Sequence, residues 1–387
     1  MEKEIFILGA VRTPIGSFCK SLSTIPAPKL GSIAIKEALK RSGTKKEDID
    51  EVLMGCVLTG GLGQAPARQA SIFSGLPNTI PCTTVNKVCG SGLKTVMLGA
   101  QSILAGDSKT VVAGGMENMS RAPYLIEQAR TGYRLGHGKV VDSMVKDGLW
   151  DVYNNFHMGT AAEMCVKKYK FSRAKQDEFA AESYHKAQKA IKEGYFKDEI
   201  VAVEVKQGKE IVLVHTDEEP MRVKFDKIAT LPPVFDKAGS VTAANASTLN
   251  DGGAAVVISE KNNGKALAKI CGFTQSAQAP EWFTTAPVTA VQKLLQKLNW
   301  GIDSVDLWEI NEAFAVVTMA AIYELKLDPK KVNVHGGAVA LGHPIGASGA
   351  RILVTLLYAL KRLKKKRGLA TLCIGGGEAV ALAVELL

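Results

Sequence analysis

The sequence predicts an α/β protein made of two similar halves, with a segment of different texture inserted between them. Three observations carry this. At 387 residues the chain is long for a single hydrophobic core, so two or three subdomains are expected. Five elements recur in the same order, offset by roughly 250–260 residues. Each half alternates apolar runs of strand length with helical periodicity, which implies a mostly parallel sheet with helices packed on it. The expected limits are 1–118 for the first half, 119–247 for the insertion and 248–387 for the second half.

In the first half, Glu4–Ala10 reads as a strand and is followed by Arg12-Thr13-Pro14. Leu30–Arg41, closed by Gly43, has the spacing of an amphipathic helix. Ile49–Gly55 is a second strand, Thr83–Val85 a short third one, and Thr110–Glu117 a fourth. Between the last two, Leu93, Val96, Met97, Ala100, Ile103 and Leu104 recur at three- and four-residue steps, and Gly106 is placed to end that helix. The insertion holds Gly- and charge-rich stretches such as Arg130–Lys139. It also holds a long helix over Ser172–Glu193, with Ser172 as its cap. The second half repeats the first: strand Ala268–Phe273, helix Ala286–Leu298 with Pro287 in its first turn, and strand Val305–Asn311. A helix over Glu312–Leu325 follows. A second Gly-rich helix start, Gly342–Gly349, runs on to Leu360, and a strand over Leu369–Cys373 leads into Gly375-Gly376-Gly377.

Composition narrows the function classes. Hydrophobic content of 46% and charged content of 22% belong to an ordinary soluble globular protein. Seven cysteines without a C-x-x-C pair argue for a reducing compartment, hence the cytosol, and against a disulfide frame or zinc ribbon. No metal site is expected. The N-terminus is not a signal peptide, and no apolar run is long enough for a membrane span. The net charge of +10 permits a polyanionic partner. The densest basic run, Lys361–Arg367, lacks interleaved aromatics and reads as a solvated helix end whose cations face the negative dipole, so no nucleic-acid or membrane partner is expected.

The chemistry centres on Cys89, at a strand-to-helix junction ahead of Gly90-Ser91-Gly92. A thiol at a helix N-terminus faces unpaired N–H groups, and such sites can pull a cysteine from about 8.5 down into roughly 3.5–7.5. The flanking glycines let a carbonyl approach the backbone. An inert buried cysteine is the competing local reading. The repeat brings three further residues to the same end of the sheets: His343, in the matching turn of the second half, Cys373, which ends the last strand, and Asn311, which ends another. Each alone could be structural: a capped turn, a core thiol, a helix N-cap. Ser348 and Arg351 read as residues that fix the turn. Together an imidazole base, a nucleophilic thiol and a second thiol fit acyl transfer coupled to carbon–carbon bond formation.

The stretches NKVCGSGLK, GGMENMS, NASTLNDG, NEAFA, GGAVALGHPIGASGARI and CIGGGE closely resemble the thiolase family, especially its short-chain biosynthetic branch, along the full length and in register. The resemblance implies a thiolase-like α/β fold of five packed layers with an inserted loop domain, and a homotetramer built as a dimer of dimers. It implies condensation of two acetyl-CoA to acetoacetyl-CoA and CoA, with coenzyme A thioesters as substrates and no bound cofactor. A broader-chain 3-ketoacyl-CoA thiolase and a scaffolding homologue without activity are the alternatives. By that resemblance Cys89 is the acylated nucleophile, His343 its activator and Cys373 the proton shuttle. Asn311 holds a water that completes one oxyanion hole with the histidine, and the N–H groups of Cys89 and Gly375 form the other. Leu149, His157, Met158, Arg222, Ser247, Ala313 and Phe314 fall where the family holds coenzyme A. The chain departs from the family at Thr248, at Glu378-Ala379, at Pro280–Thr284 and in a shortened segment around Arg222.

Overall fold

A computed structural model describes residues 3–262 and 264–387. Nine strands run through one large sheet: β1 Phe6–Arg12, β2 Glu51–Gly55, β3 Cys82–Val85, β4 Thr110–Asn118, β5 Asn250–Ser259, β6 Ala268–Ala277, β7 Leu307–Ile310, β8 Arg367–Ile374 and β9 Glu378–Leu386. Their order is β7-β8-β9-β6-β1-β5-β4-β2-β3, and Gly16–Ser17 pairs with the start of β5. The two half-sheets meet at the pairs Phe6↔Lys269 and Ile7↔Ala268. The repeat is visible in the pairing: β1 shifts register between Ile7 and Gly9, and β6 does so between Ile270 and Gly272.

Two expectations need correction. The sheet is mixed, not mostly parallel, since only β2–β3, β2–β4 and β7–β8 run parallel. In each half an antiparallel strand, β5 or β9, lies between the strand at the junction, β1 or β6, and the parallel set. The limit at 248 also falls in the wrong place. β5 follows the insertion in sequence, yet it pairs with β1 and β4, so its hydrogen bonds assign it to the first half. The second half begins with β6.

Helices α1 Ala27–Ser42 and α2 Pro66–Phe73 cover the outer face of the first half-sheet. Further helices in chain order are α3 Ser91–Ala105, α4 Met158–Tyr169, α5 Arg173–Lys192, α6 Ala286–Leu298, α7 Ala315–Leu325 and α8 Ile345–Leu363. Helices α6 and α7 cover the second half-sheet. Between the sheets lie α3 and α8, whose apolar side chains merge with both inner faces in one core. The result is five layers. Gly43 and Gly106 end α1 and α3 with φ of 65° and 91°, as their positions predict.

The central helices touch at their first turns. A Cβ on Gly92 would lie 2.8 Å from the Ala350 nitrogen, and one on Gly349 would lie 2.3 Å from the Leu93 nitrogen. Only glycine permits this approach. It sets the start of α3, with Cys89 just ahead of it, beside the start of α8, with His343 just ahead of it.

The insertion packs α4 and α5 across one end of the sheets. Ser172 caps α5, accepting from the Lys175 N–H. Buried Arg12 anchors the insertion to β1, donating to Glu199 at 2.6 Å and to both oxygens of Asp217 at 2.7 and 2.8 Å. Removing Arg12 would leave the buried carboxylates without their cation, at a cost of about 3–5 kcal/mol.

Candidate active site

Cys89 sits in a turn stitched by its own neighbours. Asn86 Oδ1 accepts from the Val88 N–H at 3.0 Å, and Ser91 Oγ accepts from the Lys87 N–H at 2.8 Å while donating to the Val88 carbonyl at 2.7 Å. These bonds hold Val88 at a φ of 45°. A β-branched residue avoids that region, and the strain costs on the order of 1–3 kcal/mol. The half-buried thiol packs in a cluster with Met119, Met144, Leu149 and Ile345. Burial in that apolar setting pushes it up to about 11, partly offset by the N–H groups of Gly375 and of Cys89 itself, which face the sulfur. The expectation of a resting thiolate is thus corrected. Desolvation outweighs the helix terminus, because regular helix begins only at Ser91.

His343 follows Gly342, whose φ of 101° opens the turn into α8. Its N–H donates to Asn250 Oδ1 at 2.9 Å, and that oxygen also accepts the Thr248 hydroxyl at 2.8 Å. Ser348 Oγ lies 2.6 Å from His343 Nδ1 and gives its own proton to the Pro344 carbonyl at 2.9 Å. With the hydroxyl proton on Pro344, Nδ1 carries a hydrogen and donates, which leaves Nε2 as the acceptor of the ring. Burial, with the Arg351 charge added, holds the imidazole down at about 3, so it is neutral. Asn311, fully buried at the end of β7, brings Nδ2 to 3.5 Å from Nε2, and its Oδ1 has no protein partner.

Cys373 lies near the end of β8, fully buried beside Met158, Phe283 and Phe314. Burial raises its thiol well above the ordinary range, and the neighbouring Cys89 sulfur raises it further. The next residues, Gly375–Gly377, form the loop between β8 and β9, with Gly376 and Gly377 at φ of 89° and 85°. Cys89, Cys373 and the Gly375 N–H are thus neighbours, and Asn311 stands beside His343.

Glu117 is a residue that sequence reasoning missed. Fully buried at the end of β4, its carboxylate accepts the N–H groups of Val57 at 3.1 Å, Leu58 at 3.2 Å and Gly346 at 2.8 Å. Burial pushes it up to about 7. Its presence in GGMENMS was visible, but its partners, distant in sequence, were not.

A cavity of about 580 Å³ opens between the insertion and this cluster, and His343 forms part of its wall. Leu149, His157, Met158, Arg222, Ser247 and Phe314 line it. Ala313 does not: it is buried behind the wall, its carbonyl accepting the Ser247 N–H at 3.0 Å. His157 caps α4, with Nδ1 accepting the Gly159 N–H at 3.0 Å, and stacks on Phe235 at 4.7 Å. Its Nε2 is therefore the protonated nitrogen, a neutral donor. Met119, Met144 and Phe235 also line the cavity. Met119 and Met144 open a 3-10 turn and a π-helical turn and Phe235 lies in a bend, all too short for a periodicity to mark them.

Comparison with known proteins follows the same lines. Residues 5–262 match the thiolase N-terminal domain and residues 264–386 the thiolase C-terminal domain. The chain is 52% identical over 389 residues to an acetyl-CoA acetyltransferase of Cupriavidus necator, covering 99% of both chains. It is 49% identical over 391 residues to a mitochondrial acetyl-CoA acetyltransferase of Bos taurus, covering 99% of this chain and 92% of that one. The crystal structure of the Bacillus anthracis acetyl-CoA acetyltransferase superposes with a TM-score of 0.97 at 41% identity, covering 100% and 99% of the two chains. A thiolase from Ascaris suum in complex with coenzyme A gives 0.94 at 45% identity, covering all of both.

Proposed function

The chain belongs to the thiolase family, and on that premise we propose that it joins two acetyl-CoA into acetoacetyl-CoA and CoA and runs the same reaction backwards. What supports this reading is that Cys89 neighbours the Cys373 sulfur and the Gly375 N–H, while a neutral His343, with Asn311 beside its Nε2, stands in the wall of the cavity. Curated relatives at about half identity over the full length carry the name of that activity.

The resting site holds Cys89 as a thiol and His343 as a neutral imidazole, with values too far apart for a standing ion pair. Cys89 therefore attacks the acetyl carbonyl carbon as its proton passes to Nε2. The Cys89 and Gly375 N–H groups that face the sulfur meet the developing oxyanion. The carbon–sulfur bond to CoA breaks, and Cys373 protonates the departing sulfur. In the second half-reaction the Cys373 thiolate takes a proton from the α carbon of the next acetyl-CoA. The carbanion's thioester oxygen is met by Nε2–H of His343 and by a water held on Asn311. Carbon attacks the acetyl-enzyme, the bond to Cys89 breaks, and His343 returns the proton. Every group ends as it began.

In the cavity, the His157 Nε2–H and the Arg222 guanidinium offer donors to a coenzyme A, while Leu149, Met158 and Phe314 bury its apolar arm. Phe283, edge-on to Phe314 at 6.3 Å, closes the region beside Cys373, which favours short acyl groups. A homotetramer fits the exposed apolar side chains of the 124–141 hairpin, Tyr124, Ile126, Leu135 and Val140. A reducing compartment such as the cytosol fits seven free thiols.

Intact-protein mass after brief mixing with acetyl-CoA should show one acetyl group, mapping to Cys89, alongside steady release of CoA. A chain that binds acetyl-CoA but neither acetylates nor releases CoA would be a scaffold, and the proposal would fall.

A further inference from the structure

We infer that the ion pair between Lys87 and Glu378 is a positioning clamp that holds the Gly375 N–H in register with Cys89, an inference that rests on the catalytic reading above. The two N–H donors facing the Cys89 sulfur come from different halves of the chain. The Cys89 N–H belongs to the turn before α3, and the Gly375 N–H to the loop between β8 and β9. That loop is three consecutive glycines, closed at its root by the Ile374↔Glu378 pair. Glycine has the widest backbone freedom of any residue, so such a loop has little stiffness of its own. Its placement must come from what touches its root.

Within the second half the Gln278 N–H donates to the Gly377 carbonyl at 2.9 Å, and three further contacts reach across from the cysteine side. Lys87, two residues before the nucleophile, forms its ion pair with Glu378, the first residue of β9. Lys94, in the first turn of α3, donates to Gln275 Oε1 of β6 at 3.2 Å. A Cβ on Gly90 would lie 2.3 Å from Ile374 Cδ1, so the nucleophile turn rests directly on the residue before Gly375. Only the first of these joins the cysteine turn to the root of the glycine loop through a charge-assisted bond. Lys87 is also tied into the turn by its backbone, which donates to Ser91 Oγ at 2.8 Å. A pull on its side chain is therefore a pull on the segment that carries Cys89.

Both side chains are partly exposed, and a pair of that kind adds little to stability. Its effect should show in catalysis. Deleting an oxyanion donor costs roughly 10²–10³ in rate, so misplacing one by loosening its loop should cost about tenfold.

The test uses K87Q, E378Q, the double K87Q/E378Q and the reversed pair K87E/E378K, all in the full chain. Rates of Cys89 acetylation should fall about tenfold in each single variant and no further in the double, since both remove one interaction. The reversed pair should regain most of the loss, and KM for CoA should stay within about twofold because the cavity is untouched. A second readout needs no substrate. At a fixed pH near 9, alkylation of Cys89 by iodoacetamide, followed by peptide mapping, should slow in the single variants as the thiolate loses the Gly375 N–H. Single variants that acetylate and alkylate within about twofold of the parent would overturn the clamp, as would additive losses that charge reversal does not restore. A parent protein that gains no acetyl group would instead sink the catalytic reading, and the alkylation rates would still decide the clamp.

Discussion

One hydroxyl decides which nitrogen of His343 can act as a base. Ser348 Oγ has a single proton, and the Pro344 carbonyl takes it, so only its lone pairs face Nδ1. Remove the hydroxyl, and the imidazole is free to move its hydrogen to Nε2, the wrong side for accepting a proton from Cys89. Ser348→Ala should therefore lower kcat roughly 10- to 100-fold with KM little changed, as for other groups that orient a catalytic imidazole. Thermal melting should barely move, because the Ser348 backbone bond to Pro344 remains. Steady-state thiolysis of acetoacetyl-CoA would check this, and an unchanged kcat would mean that Nδ1 finds another acceptor. From sequence, Ser348 could be read only as part of a turn. The spacing of five residues from His343 does not reveal a bond between them. The Cys89 thiol is the matching case on the electrostatic side. A helix start is visible in sequence, but the apolar side chains that desolvate the sulfur come from Met119, Met144, Leu149 and Ile345, scattered along the chain.

Helices α1, α3, α5 and α6 were legible because glycine, serine or proline punctuates a clear periodicity at their ends. Strand β5 was not. It is buried along its whole length and begins with Asn250-Asp251-Gly252-Gly253, so it shows neither alternation nor a strand-like start. Direction is also invisible to periodicity, which is why the mixed sheet could not be read. Glu117 shows what elements do once assembled. It joins the end of β4 to the 57–58 loop and the first turn of α8. Burial raises its carboxyl from 4.5 to about 7. Between those values the folded chain keeps a proton that the unfolded chain releases. Its contribution to stability is therefore full below about 4.5 and is lost as pH rises through 7, by on the order of 3 kcal/mol. Glu117→Gln cannot titrate, and its amide turns a donor toward N–H groups, a loss of about 1–3 kcal/mol. Urea unfolding at pH 5 and pH 8 should show the variant less stable at pH 5 and the gap narrowing at pH 8. A gap that widens with pH would mean that the three N–H donors keep the carboxylate ionised.

At the scale of the whole molecule, the site exists because two copies of one architecture face each other. The first half carries Cys89 ahead of α3. The second carries His343 ahead of α8, with Asn311 and Cys373 at strand ends. The repeat was legible as five elements in order, and with it the side of the sheets where these residues meet. The division of labour between the thiols follows from that meeting. Both half-reactions pass through a thioester on Cys89, whereas Cys373 is needed where a proton leaves carbon. A hydroxyl is far less acidic than a thiol, so Cys373→Ser preserves shape and removes most of the base. Cys373→Ser should still take an acetyl group from acetyl-CoA onto Cys89, releasing CoA more slowly for want of an acid. Acetoacetyl-CoA formation should drop roughly 10²-fold or more, the usual contribution of a positioned acid–base group. Cys89→Ala should show no covalent acetyl at all. Intact-protein mass after mixing with acetyl-CoA, set beside steady-state condensation, separates these outcomes. If Cys373→Ser condenses near the parent rate, Cys373 is only a core thiol between Met158 and Phe314, and the proton must leave the α carbon by way of His343.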